Sequence, residues 1–283
     1  MLSSILSLGA IGFLAALALG FAARKFAVEV DPREEAVLEL LPGANCGACG
    51  FPGCAGYAKM VAGSDTISAP CPPGGAAVME KIANIMGLAP ITTTPKVAVV
   101  MCQGDNHKAK NKYKYLGLTD CRAAQKVADG PKQCPGGCMG LGTCERICPF
   151  GAIEMTPDHL AVISRRKCTG CGKCVAACPR DVIKMKPLEA TTHVLCNSHD
   201  KGALVRKYCD VGCIACQICK KQVPEAYEIE NFLATVVYDH HDKASEAVEK
   251  CPTKCIRDFM ISYPEGSSFA EATVPMRKKE KAA

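Results

Sequence analysis

Cysteine is the residue type here that could do chemistry, and its spacing says which chemistry. The run KCTGCGKCVAACP sets Cys168, Cys171, Cys174 and Cys178 ahead of Pro179. That Cys-x2-Cys-x2-Cys-x3-Cys-Pro interval is one by which thiolates hold cubes of iron and sulfide. Upstream, CPGGCMGLGTCERICP supplies Cys134, Cys138, Cys144 and Cys148 with Pro149. Its middle position is Leu141, so Cys134 is expected to stand in. Where two such runs share one fold, the fourth cysteine of each serves the other cube. This predicts one [4Fe-4S] site on Cys148, Cys168, Cys171 and Cys174. A second would take Cys178 with Cys134, Cys138 and Cys144.

A separate set precedes these. NCGACGFPGC and APCP give Cys46, Cys49, Cys54 and Cys71. Four thiolates in so short a span match one cube. Glycines between them let backbone N–H groups turn toward sulfur. A four-thiolate zinc site is the competing reading, but such sites usually carry two tight Cys-x2-Cys pairs and only one is present.

The stretch GCIACQICKKQVP has Cys213, Cys216 and Cys219 at the expected intervals, yet its fourth position is Val223. A remote Cys-Pro completes it: EKCPTKC supplies Cys251 and Pro252. Counting back from Cys251 by the same spacing reaches Ala247, Ala244 and His241, so the partner cube has lost its ligands. His241 reads as a surface histidine. Four sets of four use 16 of the 21 cysteines. Cys102, Cys121, Cys196, Cys209 and Cys255 remain. Cys209 precedes Cys213 by the interval that separates Cys134 from Cys138, and either Cys209 or Cys255 could replace Cys251. Cys102 and Cys196 end apolar runs and read as buried thiols. Cys121 falls on an expected helix without an assigned role.

The elements that must position these cysteines are short. Residues 1–23 carry no charged side chain, and Arg24 and Lys25 follow at once. At 1.5 Å per residue such a helix spans a bilayer core, with the following chain on the cytoplasmic side. A cleaved signal peptide would carry a basic leading region, which is missing. Helices are expected over 31–41, started by Asp31 and Pro32, and over 74–87, closed by Gly87. A linker follows at 88–96, then a buried strand at 96–102 and a helix at 119–130. VAVVMCQGD (97–105) is echoed by THVLCNSHDKG (192–202), each ahead of a cysteine cluster. The chain therefore reads as two copies of a strand-plus-cluster unit behind an N-terminal module.

Composition narrows the function. The chain has 283 residues, no Trp and 5% aromatics, so its cores are thin and bound clusters would act as cross-links. An odd number of cysteines, many in Cys-Pro pairs, favours metal ligation in a reducing compartment over disulfides. The formal net charge of +6 comes partly from the tail MRKKEKAA. No nucleic-acid motif accompanies it, and no nucleic-acid partner is expected. Neither a Walker loop nor a GxGxxG turn is present, and no His/Asp/Ser set suggests hydrolysis.

With the anchor, LPGANCGACGFPGCAGYA, the spaced CPP, GLGTCERICPFGAI and KCTGCGKCVAACP together, the chain resembles the B-subunit family of the Rnf complexes. These are membrane ferredoxin:NAD+ oxidoreductases that move Na+ or H+. The resemblance covers nearly the whole chain. It implies an inner-membrane, single-pass protein with a cytoplasmic iron–sulfur arm. That arm would take electrons from soluble ferredoxin and pass them toward subunits A, C, D, E and G. It would have no catalytic site of its own. By position, the Cys46, Cys49, Cys54 and Cys71 cube would lie nearest the membrane. The C-terminal unit departs from longer relatives, which resemble full two-cube ferredoxins.

The expected fold is α+β: a single transmembrane helix, a small 4Fe-4S module, then tandem bacterial-ferredoxin-like units. Boundaries are expected at 1–26 for the anchor, 27–88 for the N-terminal module and 96–133 for a small α/β segment. A two-cluster ferredoxin-like domain would follow at 134–187. A strand with a degenerate one-cluster domain would occupy 188–262, and a basic tail 263–283. A competing reading is an electron-delivering ferredoxin-like subunit of another redox enzyme, which has no need for residues 1–23. A zinc-filled interaction module is a third.

Overall fold

The computed structural model describes residues 2–26, 31–89, 91 and 94–259. The expected basic tail at 263–283 lies outside them. So do parts of the expected linker.

Helix α1 (Leu2–Lys25) carries no acidic residue in its first turn and ends on Arg24 and Lys25. Leu6, Ile11, Phe13, Leu14, Leu17, Leu19 and Phe21 are exposed along it. Side chains 2–5, 7 and 8 lie outside the described set, so the anchor expectation rests partly on residues that are not described. Among the described residues, no helix is long and apolar enough to cross a membrane.

The N-terminal module packs three helices: α2 (Pro32–Leu40), α3 (Cys54–Ala62) and α4 (Gly75–Met86). The Asp31 side chain accepts from the Arg33 amide and starts α2. Gly87, left-handed at φ 66°, ends α4 as a C-cap glycine does. The three helices bury Val37, Tyr57, Val61, Met79 and Ile82 against one another. Each such apolar side chain contributes about 1.5–3 kcal/mol when removed from water.

The remainder builds one topology twice. In the first copy, β1 (Lys96–Val100) is followed by α5 (Cys121–Gln125), α6 (Thr143–Ile147), β2 (Ile153–Met155), β3 (Ala161–Ile163), α7 (Lys173–Ala177) and β4 (Ile183–Pro187). The second copy holds β5 (Thr192–Val194), α8 (Gly202–Tyr208), α9 (Ile218–Gln222), β6 (Tyr227–Glu230), β7 (Leu233–Val236) and β8 (Ile256–Asp258). In each copy the first strand pairs antiparallel with the last, as β1 with β4 and β5 with β8. An inner hairpin, β2–β3 or β6–β7, fills the middle. The echo between residues 97–105 and 192–202 is therefore a structural repeat. Because β1 runs along β4, residues 96–133 and 134–187 share one ladder.

Each copy has its own small core. A third cluster, Val97, Val99, Met101 and Leu195, joins them. The Gln103 side chain adds a clasp, donating to the Lys254 carbonyl at 3.0 Å and accepting from Arg257 at 2.9 Å.

Candidate metal centres

The first site is built by the turn after α2 and the start of α3. Asn45 Oδ1 accepts from the Cys54 amide at 2.8 Å and so fixes the beginning of α3. Cys46, Cys49, Cys54 and Cys71 line one cavity there. Burial raises the Cys71 thiol pKa; the Gly74 amide opposes the shift, while the other three cysteines add to it.

Around α7, Cys174 sits in the field of Cys168, Cys171 and Cys148, and burial followed by these neighbours pushes its thiol up to about 12. Two backbone amides aim at this set: Ala98 donates to Cys168 at 3.4 Å, and Ala152 donates to Cys148 at 3.4 Å. Cys148, from the upstream run, thus lies near Cys174 of the downstream run. Cys46 of the N-terminal module also acts on Cys171, so the first site and this one are neighbours.

The next cavity departs from expectation. Cys138, Cys144 and Cys178 line it as predicted, but the fourth cysteine is Cys121. Cys134 lies elsewhere, against a different cavity. Asp120 caps α5 by accepting from the Arg122 and Ala123 amides, and the Cys121 amide donates to Thr143 Oγ1 at 2.7 Å. Those bonds carry Cys121 to the start of α6, beside Cys144. Spacing within a run could not reveal this, because Cys121 enters from its own helix; the cap signal at Thr119-Asp120 was the clue. Burial pushes Cys138 up to about 12, and it raises Cys144 as well.

In the second copy, Cys213, Cys216, Cys219, Cys251 and Cys255 all line one cavity. Hence the incomplete run GCIACQICKKQVP does meet Cys251. The Cys255 thiol lies 3.5 Å from Cys251 Sγ and also bonds Cys213. Its hydrogen bonds hold Cys251 down to about 5 and Cys213 down to about 6, while its own pKa rises steeply. Cys255 therefore bonds both Cys251 and Cys213. Cys209 lies away, on the cavity that holds Cys134. Where a partner cube would need ligands, Val223, Ala244 and Ala247 are buried in the apolar core with Tyr227. His241 instead binds the Tyr238 carbonyl at 2.8 Å.

These sets fit polynuclear clusters by their donors. All 21 cysteines are free thiols. Among the described residues no group of three or more His, Cys, Asp or Glu converges closely enough for a single ion. Several cysteines line each of these cavities, and backbone amides face some of the sulfurs, a donor set that suits cluster sites.

Comparison with known families and proteins agrees with this arrangement. Residues 41–73 match a putative Fe-S cluster family, 133–183 a 4Fe-4S dicluster domain, and 209–258 a 4Fe-4S single cluster domain of ferredoxin I. The chain is 39% identical to the B component of the ion-translocating oxidoreductase complex of Methanosarcina acetivorans, over 90% of this chain and 97% of that protein. It is 41% identical to the corresponding component of the Na+-translocating ferredoxin:NAD+ oxidoreductase complex of Acetobacterium woodii, over 93% and 79%. For the proton-translocating counterpart of Clostridium ljungdahlii the identity is 43%, over 87% and 88%.

Proposed function

Since the chain belongs to the B-subunit family of the ion-translocating ferredoxin:NAD+ oxidoreductase (Rnf) complexes, we propose that its cysteine sets form an electron relay between soluble ferredoxin and the other subunits. The chain is an iron–sulfur electron-transfer subunit that works only within its complex. The observation that carries this reading is the convergence of remote cysteines, Cys148 on the 168–174 run and Cys251 on the 213–219 run.

Four [4Fe-4S] sites are assigned on this reading. They are Cys46, Cys49, Cys54 and Cys71; Cys148, Cys168, Cys171 and Cys174; Cys121, Cys138, Cys144 and Cys178; and Cys213, Cys216, Cys219 and Cys251. Each cube supplies one-electron storage at a potential that its surroundings set. The chain's own part is to hold the thiolates, keep water out and aim amides at sulfur. The Ala98 and Ala152 amides do so at one site, and the Cys255 thiol does so at another. Hydrogen bonds to ligand sulfur favour the reduced state.

Membrane attachment is assigned to α1. Its uncharged run before Arg24 and Lys25 suits a single span with the cluster-bearing part on the cytoplasmic side. Subunits A, C, D, E and G are the partners on this reading. The relatives carry names with either Na+ or H+.

Anaerobic purification of the full chain tests the assignment. At least about 16 Fe per chain are expected from four cubes. Extraction should require detergent, and removal of residues 1–26 should abolish that requirement. Zinc in place of iron, or about 8 Fe, would overturn the reading.

A further inference from the structure

Cys102, Cys134, Cys196 and Cys209 line a single cavity that none of the four assigned sites uses. We propose that these four cysteines hold a fifth [4Fe-4S] cluster, placed between the two copies of the repeat. The proposal rests on reading the other cysteine quartets as iron sites, and it adds a site that they do not contain.

Symmetry is the first argument. Cys102 follows β1 and Cys196 follows β5, the equivalent strands of the two copies. Cys134 and Cys209 each precede the first cysteine of a cluster run by the same interval, ahead of Cys138 and Cys213. Each copy thus gives two cysteines from matching positions. Four thiols related in this way make a site of complete valence for one cube.

The second argument is the direction of the backbone amides. Gly104 and Cys138 donate to Cys102 Sγ at 3.3 and 3.4 Å. The Gly136 amide faces Cys134, those of Ser198 and Cys213 face Cys196, and that of Val211 faces Cys209. In each case one donor lies two residues beyond the cysteine. The same local turn serves Cys171 through Lys173 and Cys138 through Gly140. A buried structural thiol has no need of such donors. A thiolate under a cluster does.

The third argument is charge. Lys132 lines the cavity and is 1% exposed. Its ammonium donates only to the Asp105 carbonyl, Asn106 Oδ1 and the Ala109 carbonyl, at 2.8, 3.1 and 3.3 Å. The Asp105 carboxylate is engaged by Lys108 at 2.7 Å. Arg180, buried beside the same loop, donates to the carbonyls of Cys134, Gly137 and Asp129 and to Gln125 Oε1. Arg180 lines the neighbouring Cys121, Cys138, Cys144 and Cys178 cavity, but Lys132 faces this one, and a buried cation with neutral acceptors is costly to fold around unless an anion lies beside it. A cube on four thiolates is such an anion.

The position gives the site a role. The Cys138 amide links it to the Cys121, Cys138, Cys144 and Cys178 set, and the Cys213 amide links it to the Cys213, Cys216, Cys219 and Cys251 set. With it, the order of neighbours runs from the N-terminal module through the first copy to the second.

Iron content of the full-length chain, purified anaerobically in detergent, decides the matter. The wild type is expected to carry about 20 Fe, and Cys196→Ala and Cys209→Ala each about 16, with the EPR signals of the other sites retained. A wild type at about 16 Fe, zinc at this position, or either variant at the wild-type iron content would overturn the fifth site and leave the four. A wild type below about 16 Fe would overturn the reading beneath it as well. Should either alanine variant fail to accumulate, Lys132→Met gives an independent check: one EPR-active centre should titrate at a lower potential and the rest should not move. If no centre shifts, the proposal falls.

Discussion

Cys255 bonds Cys251 and Cys213 within a set of five cysteines on one cavity, and its assignment as helper and not ligand is testable. Cys251→Ala should cost about four Fe per chain. Cys255→Ala should keep that iron and lower the potential of the same centre, because a donor to ligand sulfur is gone. A redox titration followed by EPR reads both, and equal iron loss in the two variants would make Cys255 a ligand. Cys121→Ala should likewise cost about four Fe and remove the signal of the centre on Cys138, Cys144 and Cys178. Retention of that signal would return the position to Cys134. Residues within a Cys-x2-Cys-x2-Cys run were legible from spacing alone. The place of Cys121 on the Cys138, Cys144 and Cys178 cavity was not, because a capped helix delivers it from outside the run. Cys102 and Cys196 looked like buried thiols for a sound reason, since each ends an apolar strand. The structure places both on one cavity with Cys134 and Cys209, a convergence across the two copies that spacing does not display.

Strand β1 does more than fill a core. Its Lys96 carbonyl lies directly against Gly170, and its Ala98 amide serves Cys168. Gly170 sits at φ +74°, so an added Cβ meets both a strained backbone and a carbonyl. Gly170→Ala should cost about 2–4 kcal/mol and shorten the half-life of visible absorbance. Gly151→Ala, at φ +57° with open space, should cost only the backbone share, about 1–2 kcal/mol. The β5–β8 ladder carries a pH-dependent element in His193, which is fully buried between Tyr238 and Phe259. Burial and then the nearby Arg165 and Lys186 hold its pKa down to about 3. The unfolded chain therefore binds the extra proton between about pH 6.5 and pH 3. His193 favours the fold fully above that window, and the benefit is lost as pH falls through it. Cluster bleaching should accelerate from pH 7 to pH 5 more in the wild type than in His193→Gln; equal acceleration would remove His193 from the account. Capped helices and β1 were readable from sequence, because Asp31, Gly87 and β-branched runs act locally. The strand β5 was readable as the echo of β1, whereas the three-residue β8 was not, since only its pairing with β5 makes it a strand.

At the scale of the molecule, apolar packing fills the place where a partner cube of the second copy would need ligands. Val223, Ala244 and Ala247 are buried there, and the Tyr227 hydroxyl donates to the Ala244 carbonyl at 2.6 Å. Restoring one cysteine there, as in Ala247→Cys, should not rebuild a centre, because the space is filled; iron content should stay at the wild-type value. The tandem organisation was visible in the sequence, while the clasp between copies was not, because Gln103 and Lys254 are joined only by folding. The central claim is that distant thiolates meet around shared cubes in one continuous series. Anaerobic crystals of the full chain measured at the iron absorption edge test it most directly. The expected map shows an iron centre joining Cys219 to Cys251, another joining Cys148 to Cys174, and one bridging Cys134 to Cys196 between them and the remaining sites. Separate metals on Cys219 and Cys251, or no iron at either, would contradict it.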